Sequence, residues 1–553
     1  MELHLFRRRA LQVSPEDNVA VALDDLSAGE AVVIGEHSLV LRSPVRSKHK
    51  FVLNDLGAGD PILMYGVTVG EAADSVQRGE PVTPANMRHR SAVVTAKAGE
   101  YAWRPPDVSR WKERTFLGYP RADGQVGTRN YWIVIPLVFC ENRNIQILQE
   151  AFEQELGISR PSPYQRHVAD LVQLYRRGKV ADIANWEFRP SETGASAALF
   201  PNLDGIKFLT HQMGCGGTRQ DAGALCGLLA GYLHNPNVAG ATVLSLGCQN
   251  AQVSILREEI QKRDAHSQKP LLVFDQQGSE LESVMLPKAI RETFLALIKA
   301  NQAVRTPAAL SRLTVGLKCG GSDGFSGITA NPVLGYVSDR ISALGGKTIL
   351  SEFPELCGVE QELVNRSVST QVSDRFIQLM ADYSARAKAV RSGFDMNPSP
   401  GNIRDGLITD AMKSAGAAKK GGTAPVTAVL DYPEYLSEPG LNLQCTPGND
   451  VECVTAQVGA GANVILFTTG LGTPTGNPIA PVVKISTNSE LAQRMSGIID
   501  FDTGGIITGA KTIEEMGEEI LEFVLKVASG EVQTAAETLG QNDFIPWKRG
   551  VSL

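Results

Sequence analysis

Residues 313–346 read LTVGLKCGGSDGFSGITANPVLGYVSDRISALGG. An apolar run ends at Cys319, a loop crowded with glycine follows, and the stretch from Pro332 onward takes a helical period. Strand, glycine-rich loop and helix in that order are the signature of a mainly parallel α/β sheet. They put Cys319 to Asn331 at a strand's carboxyl end, where open sheets of this kind bind ligands. The loop lacks GxxxxGK[ST], so it does not read as a phosphate cradle. Two readings stay open. It is a turn in which Asp323 and Asn331 cap backbone donors, or a site whose glycines let a metal-bound ligand approach the backbone.

The same rhythm extends both ways. Upstream, NYWIVIPLVF, ILQEAFEQEL, AGALCGLLAGYLHN, ATVLSLGC, QVSILREEIQKRDA and PLLVFDQQ alternate strand-like with helix-like patterns; downstream, KTILSEFPE, TAPVTAVLDYP, NVILFTTG and TIEEMGEEILEFVLKVASG continue them. Residues 1–98 differ: short apolar runs such as NVAVALDDL and AVVIGEHSLVL, set between glycine and acidic turns, predict a small β domain. Residues 99–120 are rich in proline, arginine and aromatics without a period, which predicts a linker lying across a surface and pinned by its rings. The expected divisions are therefore 1–98, 99–120, 121–306 and 307–553, a reasonable partition for 553 residues. A second glycine-rich loop, FTTGLGTPTGNPIAP at 467–481, offers GxGxxxG after a strand. Pro478 and Pro481 forbid the helix a dinucleotide fingerprint needs, and Thr468, Thr469, Thr473 and Asn477 instead suit a polyhydroxylated ligand or an ordinary polar loop.

Composition narrows the function. The chain carries 53 basic and 60 acidic residues, a net charge of −7, and no long basic run, which argues against nucleic-acid binding. The apolar run from Tyr131 to Cys140 is broken by Pro136 and is too short to span a membrane. The first residues lack a secretory pattern, so the cytoplasm is the expected compartment. Eight cysteines without a CxxC pair read as reduced thiols rather than a disulfide frame or zinc ribbon.

Three of these cysteines share a context. Cys215 in HQMGCGG, Cys248 in LSLGCQN and Cys319 in LKCGG each end an apolar run and touch glycine. Alone, each is more often a structural thiol; together they favour function. His49 in VRSKHKFVL lies between Lys48 and Lys50, which should drive off its proton and leave an imidazole fit for base or ligand work. Asn449 and Asp450 in PGNDVE follow the run GLNLQC and offer oxygen ligands, although alone they read as a turn.

The segments DNVAVALDDL, KHKFVL, GTRNYWIVIP, LSLGCQN, LKCGGSDGFSGITANPVLG, NPSPGN, PGNDVECVTAQVGAGANVILFTTGLGTPTG and VKISTNSELA, in this order, resemble the altronate/galactarate dehydratase family, with its altronate members the nearer match. The resemblance implies an N-terminal β-clip (SAF) domain, a linker, a dimerising middle domain and a Rossmann-variant C-terminal domain. It also implies a hydro-lyase assisted by Fe(2+) or Mn(2+), acting on a sugar acid such as D-altronate, in a homodimer. On that basis His49 and His211 are candidate acid/base groups. Cys215, Cys248, Cys319, Asp323 and Asp450 are candidate metal ligands, and Arg129, Asn331, Asn449 and Thr473 candidate substrate contacts. Arg129 equally reads as an arginine pinning the linker. Other expectations are a galactarate dehydratase or sulfo-lyase, with an iron–sulfur cluster on the three cysteines, and a sugar-acid-binding regulator without turnover. The chain departs from the family pattern at Ala417, where a cysteine is common, and in an insertion near 161–203.

Overall fold

The computed structural model describes residues 8–35, 37–91, 93–156, 163–188, 199–279, 281–550 and 552; of the insertion near 161–203, residues 161–162 and 189–198 lie outside the described residues, and the rest carries the helices Pro163–Arg176 and Val180–Ile183. The N-terminal unit is built of short antiparallel pairs, as its glycine-punctuated runs predict. Ala10–Leu11, Val19–Ala22 and Lys50–Val52 form one sheet, Ala31–Ile34 pairs with His37–Val40, and Pro61–Met64, Val67–Ala72 and Met87–Arg88 form another. One set of its apolar residues, with Ala20, Val32, Leu39 and Phe51 among them, closes on itself; a second set does not. Val19, Val52, Ile62 and Val69 share a core with Phe325, Ile328, Phe353 and Met412, more than 250 residues away in the chain.

The following stretch crosses the surface with its aromatics engaged. Tyr101 donates to the Thr423 carbonyl at 2.8 Å, Trp103 donates to Thr423 Oγ1 at 3.2 Å, and Trp111 is buried in the C-terminal core. Thr115–Pro120 is a strand, paired with Thr306–Ala309 and Val126–Gly127.

Two parallel sheets follow. The middle sheet has the order Gly205–Phe208, Tyr131–Pro136, Val238–Ser245, Leu271–Asp275, every neighbour parallel. The C-terminal sheet has seven strands in the order Val426–Leu430, Gly440–Gln444, Lys347–Leu350, Thr314–Cys319, Val464–Thr469, Val482–Ser486, Phe501–Asp502, again all parallel. The mixed α/β, multidomain class expected from the sequence is the one observed. Thr314–Cys319 sits at the centre, covered by helix Ala330–Ala343, and Val315, Leu317, Val333 and Val337 fill the space between them. No helix is long and apolar enough to cross a membrane among the described residues.

Candidate active site

The carboxyl ends of the central strands converge on a charge cluster that is buried except at Asp450. Lys318 and Cys319 end Thr314–Cys319, Glu352 follows Lys347–Leu350 in a left-handed backbone conformation (φ 68°), and Asp450 opens helix Asp450–Gly459. A lysine inside an apolar strand must find counter-charge. Lys318 Nζ meets Glu352 Oε1 in a close ion pair and Asp450 Oδ1 at 2.9 Å. Lys420 Nζ donates to Glu352 Oε2 at 2.8 Å and to Cys319 Sγ at 2.6 Å, and Lys413 Nζ pairs with Glu355 Oε1 at 2.8 Å. Burial disfavours the Lys318 charge, but Glu352 and Asp450 outweigh it and hold this ammonium above its usual range. Burial opposes the Glu355 charge too; Lys413, Lys318 and Lys420 overcome it and hold the carboxyl down at about 2. The Cys319 thiol is pushed up to about 12 by burial and by Glu352, so it is neutral.

Above the cluster the surface opens. Gly321, Thr473 and Asp450 are half-buried, and the two glycine-rich loops are tied there by Gly470 and Leu471 amides donating to the Gly321 carbonyl at 3.0 and 2.9 Å.

On its other side the Gly320–Ser326 loop receives the N-terminal domain. Lys48 Nζ pairs with Asp323 Oδ2 at 3.0 Å and Asp405 Oδ1 at 3.2 Å, while Lys50 Nζ donates to the Gly406 carbonyl at 2.6 Å. The approach is close enough that a Cβ on Gly324 or Gly406 would fall 2.3 Å from the Lys48 carbonyl oxygen. Burial pushes Lys50 down to about 7. His49 lies half-buried at this seam. Its Nδ1 faces the Ser47 carbonyl at 3.1 Å, which assigns the proton to Nδ1 and leaves Nε2 with a lone pair. Its pKa is lowered as expected, although burial is the larger cause and the Lys50 and Arg46 charges the smaller.

Several predicted residues turn out to be structural. Arg129 cannot clamp a substrate carboxylate. It makes a bidentate pair with Glu537 (2.7 and 2.9 Å), and Nη1 donates to the Thr128 and Val527 carbonyls, which pins the middle domain to the C-terminal segment. His211 has both ring nitrogens engaged, Nδ1 accepting from the Met213 amide and Nε2 donating to the Pro136 carbonyl, and burial lowers it to about 4. It braces a loop and has no nitrogen free for acid/base work. Asn331 bridges the Gly416 carbonyl and Thr468 Oγ1, and Asn449 caps helix Asp450–Gly459. Cys215 and Cys248 are exposed at the ends of the middle sheet, apart from buried Cys319.

Whether the cluster fits a divalent cation can be tested on its donors. Cys319, Glu352 and Glu355 offer ligand atoms within 4.8 Å of one another, a spacing that suits an ion. Lys318, Lys413 and Lys420 already neutralise Glu352, Glu355 and Asp450, however, and occupy the same lone pairs. Adding two positive charges to this dry, balanced set is unfavourable. Asp323 is equally committed, to Lys48, Thr487, Asn488, Ser326 and the Phe325 amide. These residues, as placed, do not fit Fe(2+) or Mn(2+). What they do supply is three buried ammonium groups, each held by a carboxylate, close to half-buried Gly321, Asp450 and Thr473.

Glu352, Glu355, Lys413 and Lys420 were not singled out from the sequence, nor was Lys318. A lysine in LTVGLKC and a glutamate two residues past the strand in KTILSE are the signals that pointed to them.

Three family models cover the chain: an altronate/galactarate dehydratase SAF domain over residues 8–90, a D-galactarate dehydratase/altronate hydrolase second domain over 118–301, and a D-galactarate/altronate dehydratase C-terminal domain over 310–552. The chain is 33% identical over 546 residues to an altronate dehydratase of Escherichia coli and 32% identical over 550 residues to one of Bacillus subtilis, in each case across 98% of this chain and 99% of the relative. It is 30% identical over 536 residues to a galactarate dehydratase (L-threo-forming) of Escherichia coli, across 96% of this chain and 94% of the relative. With all three domain types present in order and this identity sustained along nearly the whole length, the chain belongs to the altronate/galactarate dehydratase family.

Proposed function

We propose that this chain is a sugar-acid hydro-lyase that converts D-altronate to 2-dehydro-3-deoxy-D-gluconate and water. The observation that supports it is the buried set of ammonium groups Lys318, Lys413 and Lys420, held in place by Glu352, Glu355 and Asp450 at the carboxyl ends of the central strands. The proton on C2 of an aldonate is very weakly acidic, because its removal places a second negative charge beside the carboxylate. Fixed ammonium groups in a dry site oppose that cost most strongly where the charge appears. In this reading Thr473, half-buried next to Gly321, contacts a substrate hydroxyl.

His49 Nε2 is the base in this reading. It takes the C2 proton, the electron pair enters the enediolate, and the C3–oxygen bond breaks as the imidazolium returns its proton to the departing hydroxyl. Water leaves and the enol tautomerises to the 2-keto acid. D-Altronate as substrate is supported by the two altronate dehydratases among the relatives, which are more similar to this chain than the galactarate dehydratase.

The test is 2-keto acid formation from D-altronate, D-galactarate and other aldonates and aldarates, assayed aerobically and anaerobically. The highest kcat/KM for D-altronate is expected. A preference for galactarate would overturn the substrate, and the absence of any 2-keto acid under either atmosphere would overturn the reaction.

A further inference from the structure

The middle sheet has its own constellation at its carboxyl end. Strand Tyr131–Pro136 is followed by Cys140, its neighbour Gly205–Phe208 by Cys215, and its other neighbour Val238–Ser245 by Cys248. Free cysteine is among the most buried residue types. Here these three thiols are all exposed, whereas the other five are buried or partly buried. Three adjacent strands thus each deliver one exposed thiol to one edge.

The three loops are fastened together. The Phe139 amide donates to the Met213 carbonyl at 3.0 Å, the Ala251 amide to the Gly214 carbonyl at 3.1 Å, and Asn142 Nδ2 to the His211 carbonyl at 2.8 Å. His211, braced between Pro136 and Met213, has its purpose here: it fixes the Cys215 loop against the end of the Cys140 strand. Cys248 Sγ accepts from Gln277 Nε2 at 3.2 Å, a contact of the kind that tunes a metal-bound sulfur.

Next to Cys140 are polar atoms without partners. Glu141 is fully buried and its Oε1 has no hydrogen-bond partner, and Asn142 Oδ1 is buried in the same condition. Unpartnered buried oxygens of this kind point to a missing group. The three sulfurs do not all lie within 4.8 Å of one another, which argues against their sharing a single ion.

We propose that Cys140, Cys215 and Cys248 hold an iron–sulfur cluster at the carboxyl end of the middle sheet. Cys319, grouped with Cys215 and Cys248 on sequence grounds, belongs to the other sheet, and Cys140 takes its place. Three thiolates on a four-iron cluster leave one iron to take an oxygen ligand from solution. The site stands independently of the substrate assignment above.

The full-length protein, purified anaerobically or reconstituted with ferrous iron and sulfide, should contain iron and acid-labile sulfide in similar amounts and show broad visible absorption that bleaches on reduction. Cys140→Ser, Cys215→Ser and Cys248→Ser should each lose most of both, while Cys319→Ser retains them. In the unmodified protein, alkylation followed by mass spectrometry should find these three thiols protected until a chelator and oxidant strip the iron. Zinc, iron without sulfide, or no metal after reconstitution would overturn the proposal. Equal loss in Cys319→Ser would also overturn it, as would free alkylation of the three thiols in the iron-loaded protein.

Discussion

Glu352 accepts from two buried ammonium groups at once, Lys318 and Lys420. Glu352→Gln keeps the shape and removes the counter-ion. Breaking a buried pair of this kind costs about 3–5 kcal/mol, so the melting temperature should fall clearly and turnover with it; an unchanged melt would mean that these lysines are neutral. His49 is the opposite case, a half-buried residue on the seam whose removal leaves no buried charge behind. His49→Ala should lower kcat by roughly 100-fold with the melt unaltered, and near-parental turnover would take His49 out of the mechanism. At this scale the sequence was legible only in part. Cys319 was visible as a residue ending an apolar run and Lys318 beside it was passed over, while Glu352 lies 34 residues and Lys420 101 residues from the partners they meet, and local pattern carries no trace of such pairing. Asn331 falls in the helix Ala330–Ala343, where its side chain bridges to a carbonyl, rather than at the strand end, and Asn449 caps the helix Asp450–Gly459.

The elements themselves were the most readable level, because a period of two or 3.6 is written in neighbouring residues. The strands at 131–136, 314–319 and 464–469 and the helices at 330–343 and 513–528 follow their patterns closely. Helix Thr370–Ala389 was not singled out: of its 20 residues only Ser373, Phe376 and Met380 are buried, so its apolar stripe is thin. The contact between elements is where prediction becomes specific. His89, just past strand Met87–Arg88, makes a close ion pair with Asp410 at the start of helix Asp410–Ala418. The Asp410 hydrogen bond raises the His89 pKa above its ordinary value near 6.5, against the effect of burial. A raised pKa stabilises the folded state below the unfolded value and loses that contribution as pH rises through the folded one. The melting difference between the parent and His89→Gln should therefore be greatest below about pH 6.5 and shrink toward alkaline pH; a constant gap would show that the pair does not titrate. Gly324→Ala addresses the same docking by sterics. Its Cβ would collide with the Lys48 carbonyl, so hydrogen exchange at residues 48–52 should accelerate and turnover fall, whereas unchanged exchange would show that the seam can yield.

For the whole molecule, the N-terminal domain is a lid fastened to the far end of its own chain. Residues 1–98 and 99–553, made separately, should each be inactive, and mixing should restore part of the activity, because Lys48 and His49 are on one fragment and Asp323 and Lys318 on the other. A fully active 99–553 fragment would show that the seam is not part of the site. The cut falls at 98 because Thr115–Pro120 pairs with Thr306–Ala309 and belongs with the body. The three-unit order was readable from changes of pattern along the sequence. The docking of the first unit on the third was not, since the core that joins them is assembled from residues that never appear in one window.

That docking also bears on the ribosome. Lys50 and the Gly406 carbonyl that receives it are 356 residues apart. At about 5–20 residues per second of synthesis, the N-terminal domain waits roughly 20–70 s before the surface it packs on has been made. Throughout that interval Val52, Ile62 and Val69 lack their partners Phe325, Ile328 and Met412. The nascent chain thus presents an unfinished apolar face for most of its translation, and a chaperone that shields such faces is the helper this architecture calls for.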